Sequence, residues 1–366
     1  MTRRLRRSVK RVVVWTGVAA AIAVVVVGSG VIPVASSGHW RVTHTLLDVV
    51  KRRSVALRAA PLTAPDLTQP SLVDLGAAHY ESGCRPCHGR PGMPLPLTPR
   101  GMTPHPPDLQ RQAGRWSAEE LFYLVKHGIK FTGMPAWPYP DREDEVWAVV
   151  AFVRLLPSLD ATSYERMTAP ELAQPAVADA DFAARASCER CHGREGQGRD
   201  LIPRLAGQRA AFVSDALRAF ATGARRSGIM GPVAASLRPR EVATLSAHYA
   251  ALPPARPPAP VDREGLGADG SALREVGAQI AAVGRAEQAV PACIVCHPAA
   301  GETVNSAYPR LAGLAAPYLE QQLRLFAAGR RGGGPFADVM REVAAGLTAE
   351  QRRQVAAYFA SLPVLP

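Results

Sequence analysis

The chain has 366 residues with 33 Pro, 31 Gly and only 6% aromatic side chains, which is length for two or three domains but too little aromatic bulk for one large core. Hydrophobic residues at 47% and charged residues at 20% exclude a disordered chain, so a bound group has to supply the missing core material. Half of the net charge of +12 sits in Arg3, Arg4, Arg6, Arg7, Lys10 and Arg11, which marks topology and excludes a nucleic-acid partner.

From Val12 to Gly38 no charge occurs, and this stretch exceeds the roughly 20 apolar residues that cross a bilayer. Residues 1–38 are read as a cytoplasmic basic tail and a single transmembrane helix. A cleaved signal peptide is the alternative, but its apolar run is normally about 7 to 15 residues, and Val34-Ala35-Ser36 is only a fair cleavage site. This implies a single-pass protein of a bacterial inner membrane, with everything beyond residue 40 in the periplasm. Residues 39–70 place Trp40, Leu46, Leu47, Val49 and Val50 beside Lys51, Arg52 and Arg53, the pattern of a short amphipathic helix in a stalk.

Three repeating segments follow, at 71–160, 176–254 and 271–366, separated by linkers at 161–175 and 255–270. Pro203-Arg204-Leu205-Ala206-Gly207 is matched by Pro309-Arg310-Leu311-Ala312-Gly313, and Gly223-Ala224-Arg225-Arg226 by Gly329-Arg330-Arg331. Each segment closes with an apolar-periodic helix running into Leu-Pro, at Pro157, Pro253 and Pro363. β-Branched alternation is scarce outside the membrane segment, so the fold class is all-α.

All six cysteines fall into one pattern: Cys84-x-x-Cys87-His88, Cys188-x-x-Cys191-His192 and Cys293-x-x-Cys296-His297. In c-type attachment two thiols add to the two vinyl groups of one haem and the next residue offers imidazole to the iron. Thioredoxin-like pairs, zinc half-sites and disulfide frameworks do not require histidine in that place three times. The cofactor expectation is three covalently bound c-type haems.

On these motifs the chain resembles class I c-type cytochromes, three in series over about residues 71 to 364. The last two segments look like tandem di-haem periplasmic cytochromes. The first looks like another branch, marked by Lys126-His127-Gly128-Ile129-Lys130-Phe131-Thr132-Gly133-Met134-Pro135-Ala136-Trp137. The resemblance implies that a proline carbonyl accepts the proximal histidine's second N–H, at Pro203 and Pro309 and, in the longer first loop, Pro107. Pro298, where the other segments have Gly89 and Gly193, leaves the backbone after His297 open.

The sixth iron ligand separates a carrier from a site that binds small molecules. Met134, Met230 and Met340 follow their haem histidines by 46, 38 and 43 residues, each ahead of its closing helix. Core filling, the ordinary role of methionine, predicts no such register. Expected iron ligands are therefore His88 with Met134, His192 with Met230, and His297 with Met340. His79, His105, His127 and His248 are the competing imidazoles, whereas Met93 and Met102 lie in a Pro-rich loop.

The functional expectation is a membrane-anchored tri-haem carrier of single electrons that transforms no substrate itself. Its partners are redox proteins: a membrane complex, a periplasmic dehydrogenase or a terminal oxidase. The first rival is a haem-bearing subunit of a periplasmic dehydrogenase complex. The second is a haem peroxidase or sensor, which needs an open axial position.

Overall fold

The computed structural model describes residues 3–32, 38, 40–168, 182–254, 267–298 and 305–364. The chain divides into two compact units, residues 1–53 with 103–105, and residues 54–102 with 106–366. The described residues are helical, with two isolated bridges and no strand. That is the all-α architecture expected.

In the first unit α1 (Arg3–Gly28) contains one stretch, Arg7–Gly28, long and apolar enough to cross a membrane. At 1.5 Å per residue its 22 residues extend about 33 Å, the depth of a hydrocarbon core. The second helix, α2 (Arg41–Ala59), starts in this unit with Leu46, Leu47, Val49 and Val50 exposed. Its last turn belongs to the second unit, where Val55 and Ala59 are buried. The supposed cleavage residues 34–36 lie outside the described residues.

Within the second unit three helical domains follow one another. The first has α3 (Pro70–His79), the short turns α4 (Arg85–His88), α5 (Leu97–Arg100) and α6 (Leu109–Gln112), then α7 (Ala118–His127) and α8 (Glu143–Leu155). Local signals explain the main ends. Pro70 opens α3, and Ser117 and Glu120 form a capping box on α7. Three acids start α8 at its positive dipole end. The opening and closing helices cross so closely that a Cβ on Gly76 would lie 2.0 Å from the Ala148 carbonyl oxygen.

A further helix, α9 (Ala161–Thr168), occupies the start of the expected 161–175 linker. It is amphipathic, burying Tyr164 against Tyr80 and Phe152, and the Tyr164 hydroxyl donates to Glu81 Oε2 at 2.6 Å. These eight residues therefore extend the first core, and residues 169–181 lie outside the described set.

The second domain contains α10 (Phe182–His192), α11 (Ala210–Ala221), α12 (Met230–Ala235) and α13 (Pro239–Ala251). The third contains α14 (Gly267–Val283), α15 (Ala316–Ala327), α16 (Ala337–Gly346) and α17 (Ala349–Ser361). Helix α14 has its first four residues within the expected 255–270 linker, of which 255–266 lies outside the described residues. Its Gly277 repeats the Gly76 contact, 2.0 Å between a Cβ placed there and the Gln354 carbonyl oxygen. Buried Ile280, Leu319, Val355 and Phe359 surround this crossing. Two domains far apart in sequence thus share one helix-crossing device.

Candidate haem-binding sites

The three Cys-x-x-Cys-His motifs stand on three different backbones. The first continues α3 through a π-helical turn (Tyr80–Cys84) into α4. The second ends α10, and the third is a 3-10 turn (Cys293–Val295) closed by His297 N–H donating to the Cys293 carbonyl at 2.8 Å. Pro298 after His297 is compatible with that tight turn. In the second motif, which lies wholly within α10, helical spacing sets the two sulfurs and the ring on one face.

All six cysteines are free and half-buried. Burial pushes the Cys84 thiol up to about 12, and those of Cys188 and Cys293 up to about 11. A thioredoxin-type site needs the opposite shift. Among the described residues, no three His, Cys, Asp or Glu side chains converge.

Each motif histidine is oriented by a proline carbonyl. The Nδ1–H of His88 donates to Pro107 O at 2.9 Å, that of His192 to Pro203 O at 2.8 Å, and that of His297 to Pro309 O at 3.1 Å. All three prolines are those implied by the resemblance. Burial lowers the three imidazole pKa values, with the proline carbonyls opposing it. The neutral tautomer that results keeps Nε2 as a free electron-pair donor, the form an iron requires.

The second and third motifs open into one cavity of about 700 Å³, lined by Cys188, His192 and Met230 from one domain and Cys293, His297 and Met340 from the next. Met230 starts α12 and Met340 lies in α16, both half-buried. Met134 is half-buried in the loop between α7 and α8, its N–H donating to Thr132 Oγ1 at 3.2 Å. Met102 packs against that loop: a Cβ on Gly133 would come 2.1 Å from its Cε methyl. Met93 is exposed.

The competing imidazoles are placed differently from one another. His248 stacks edge-on against Tyr249 at 5.0 Å and is not among the cavity-lining residues, while His127 is exposed and tilted on Tyr123 at 4.5 Å. His79 lines the cavity of the second and third motifs although it belongs to the first domain, and Cys191 Sγ lies 3.9 Å from the neighbouring Ala78 carbonyl.

The cavity also holds a cluster of cations that sequence reasoning noticed as a repeated phrase without assigning a role. Arg225 lies over Phe220 at 4.4 Å and Arg331 over Phe326 at 4.3 Å, so the two repeats place equivalent guanidinium groups. Their hydrogen bonds run to neutral groups: Arg225 to Tyr318 at 3.2 Å and Gln322 at 3.1 Å, Arg331 to Gln322 at 2.7 Å. Burial, with Arg225 adding to it, pushes Arg331 down to about 9. A buried Arg225 and a half-buried Arg331 held by neutral partners suit an anionic group, and haem carries two propionate carboxylates. Thiols, neutral imidazoles, thioethers and cations fit that cofactor together.

An all-α fold with paired thiols, proline-tethered histidines and a cation-lined apolar cavity defines a c-type cytochrome. Residues 71–153 match the family model described as cytochrome c oxidase, cbb3-type, subunit III, and residues 283–363 match the cytochrome c model. A thiosulfate dehydrogenase electron acceptor of Thiomonas intermedia is 36% identical over 50% of this chain and 81% of its own length. Its namesake in Stutzerimonas stutzeri is 36% identical over 49% of this chain and 80% of its own length. Cytochrome c4 of Thiocapsa roseopersicina is 32% identical over 55% and 99% respectively. The chain belongs to this family: it is a multi-haem c-type cytochrome and an electron carrier.

Proposed function

We propose that the chain carries three covalently attached haems and moves single electrons along the periplasmic face of a bacterial inner membrane, to which α1 anchors it with the N-terminus in the cytoplasm. The observation that carries the reading is the same histidine-to-proline bond at all three Cys-x-x-Cys-His motifs. Haem, when bound, supplies one-electron iron chemistry. The chain's own part is to bind and tune it. Cys84 and Cys87, Cys188 and Cys191, and Cys293 and Cys296 would hold the haems covalently. Pro107, Pro203 and Pro309 fix the tautomers of His88, His192 and His297, which with Met134, Met230 and Met340 would serve as iron ligands. Arg225 and Arg331 would receive the carboxylates.

The electron donor is read as a periplasmic dehydrogenase, of which the chain serves as acceptor or subunit. Two relatives named as electron acceptors of thiosulfate dehydrogenase favour this, and thiosulfate oxidation is the first chemistry to test. A terminal oxidase on the other side is supported by the family match of residues 71–153. Pyridine haemochrome analysis is expected to give three haems per chain, all resistant to acid acetone; one or two would end the reading. Affinity purification from mildly solubilised membranes is expected to recover a dehydrogenase whose oxidised substrate reduces the haems. N-terminal sequencing that starts near Ser36, in protein washed off by salt, would overturn the anchor.

A further inference from the structure

We propose that Glu145 is a positioning residue that ties the Met134 loop of the first domain to the Met230 loop of the second, so that one buried carboxylate sets both distal ligands. The proposal rests on the ligand reading above. Glu145 lies in the first turn of α8 and is 3% exposed. Its Oε1 accepts from Ser227 Oγ at 2.6 Å and faces Arg142 Nη2 at 2.8 Å. Its Oε2 accepts from the Gly228 backbone N–H at 2.6 Å and from the Trp137 indole N–H at 3.2 Å. Four donors on two oxygens satisfy a carboxylate fully, with Arg142 supplying the counter-charge.

Both arms of this network end on a ligand loop. Trp137 is three residues beyond Met134, and its backbone N–H donates to Lys126 O at 3.0 Å, closing the loop whose other rung runs from Ile129 N–H to Met134 O at 3.1 Å. On the far side Ser227 Oγ accepts the Met230 N–H at 3.0 Å, and Ile229 packs against the first domain's core. Three hydrogen bonds therefore lead from the Trp137 indole, through Glu145 and Ser227, to the Met230 backbone.

On the side away from the cavity the carboxylate's partners are closely packed. A Cβ on Gly228 would lie 2.2 Å from Trp137 Nε1, so the indole rests directly on the backbone that precedes Met230. Tyr139 covers the same segment, its hydroxyl 2.9 Å from a Cβ placed on Gly223 and its ring 3.1 Å from one placed on Gly231. Arg142 forks onto Asp144 at 2.9 and 2.8 Å and donates to the Arg226 carbonyl, while Arg226 reaches Asp141 at 2.8 Å. A simple latch between domain surfaces would not run through both ligand loops. The first domain is on this reading a seated neighbour of the second and not a tethered shuttle.

Proton NMR of the reduced full-length protein tests the link, because each iron-bound methionine gives one strongly ring-current-shifted methyl signal. Three are expected, assigned with Met134→Ala, Met230→Ala and Met340→Ala. Glu145→Gln keeps the side-chain size but turns an amide N–H2 toward the donors. It is expected to shift the Met134 and Met230 signals, leave the Met340 signal in place and keep the haem content unchanged, since the thioethers do not depend on the junction. Unmoved Met134 and Met230 signals, or a shift of the Met134 signal alone, would overturn the proposal. Should Glu145→Gln not yield folded protein, Ser227→Ala tests the same chain of bonds: a shifted Met230 signal supports it and an unshifted one overturns it. Fewer than three methyl signals in the unmodified protein would overturn the ligand reading itself, and this proposal with it.

Discussion

Arg142, buried between the first and second domains, meets Asp144 and Glu145, whereas buried Arg204 and half-buried Arg209, between the second and third domains, meet only neutral oxygens. Arg204 donates to the Ala206 and Ala312 carbonyls at 2.8 and 2.9 Å, and Arg209 to those of Asn305 and Tyr308 at 3.0 and 2.7 Å. Burial pushes Arg204 down to about 10, with Arg310 adding to the shift, as Arg331 is pushed to about 9. One junction is electrically complete as polypeptide. The other has the charge of a site completed by an anionic cofactor, because buried guanidinium groups are costly without a counter-charge. Both junctions are made by side chains; the contrast is that the first carries its own counter-charge while the second pairs guanidinium groups with neutral oxygens alone.

The largest effect that would break this comparison comes from removing one attachment. Cys188→Ala with Cys191→Ala is expected to lower the haem content by one and to cost the second and third domains together several kcal/mol, roughly 4 or more, since cofactor binding is folding free energy where the core depends on it. Cys84→Ala with Cys87→Ala is expected to spare that pair. Calorimetry reads both; a third domain that melts as before in the first variant would separate the pair.

Next in size are the distal ligands. Met134→Ala, Met230→Ala and Met340→Ala are each expected to remove about a third of the ferric methionine-to-iron charge-transfer band and lower one potential, since a thioether favours reduced iron. His248→Ala is expected to leave spectrum and potentials unchanged, as its ring lies on Tyr249 and away from the cavity lining. Carbon monoxide binding to the unmodified reduced protein would revive the peroxidase or sensor alternative.

A smaller effect is expected with pH. Burial pushes His79 down to about 4, below its ordinary 6.5. The neutral ring is therefore the folded form, and its contribution is complete above about pH 6.5 and lost as pH falls toward 4. With part of the ring exposed, the loss is about 1 to 2 kcal/mol. Denaturant titrations from pH 7 to 4 are expected to show that slope in the unmodified protein and a flatter one in His79→Phe. An identical slope in both would remove His79 from the account.

The smallest effect sharpens the electrostatic contrast. Arg331→Leu removes a positive charge that opposes oxidation of the neighbouring irons, so the potentials of the second and third haems are expected to fall by ~1 kcal/mol, or tens of millivolts, with the first unchanged. Spectroelectrochemical titration checks this. A fall in the first potential alone would contradict the placement of Arg331.

Much of this molecule is local chemistry and was readable as such. The Cys-x-x-Cys-His spacings, the apolar run before Gly38 and the 3.6-residue periodicity of the closing helices each span less than thirty residues. Pro203, Pro309 and Pro107 are assigned their role by the resemblance to class I cytochromes. The segment 161–168 differs: its polar residues around Tyr164 read as a linker, yet it forms a helix. That ring is buried against Tyr80 and Phe152, over eighty residues earlier in the chain for Tyr80, and no pattern within the segment records such a partner.

What the amino-acid order determined by itself is the helical class, the three Cys-x-x-Cys-His motifs, and an N-terminal helix of membrane-spanning length. Each follows from spacing within one or two turns, where covalent geometry and periodicity leave few alternatives. Only the tertiary structure decided which domain meets which. His79 ends the first domain's opening helix but faces the cavity of the other two, and Arg225 and Arg331 lie in one cavity although 106 positions separate them. Glu145 reads in sequence as one more acid at a helix start. It becomes the hinge of the proposed coupling because folding removes it from water and leaves Trp137, Arg142, Ser227 and Gly228 as its hydrogen-bonding partners.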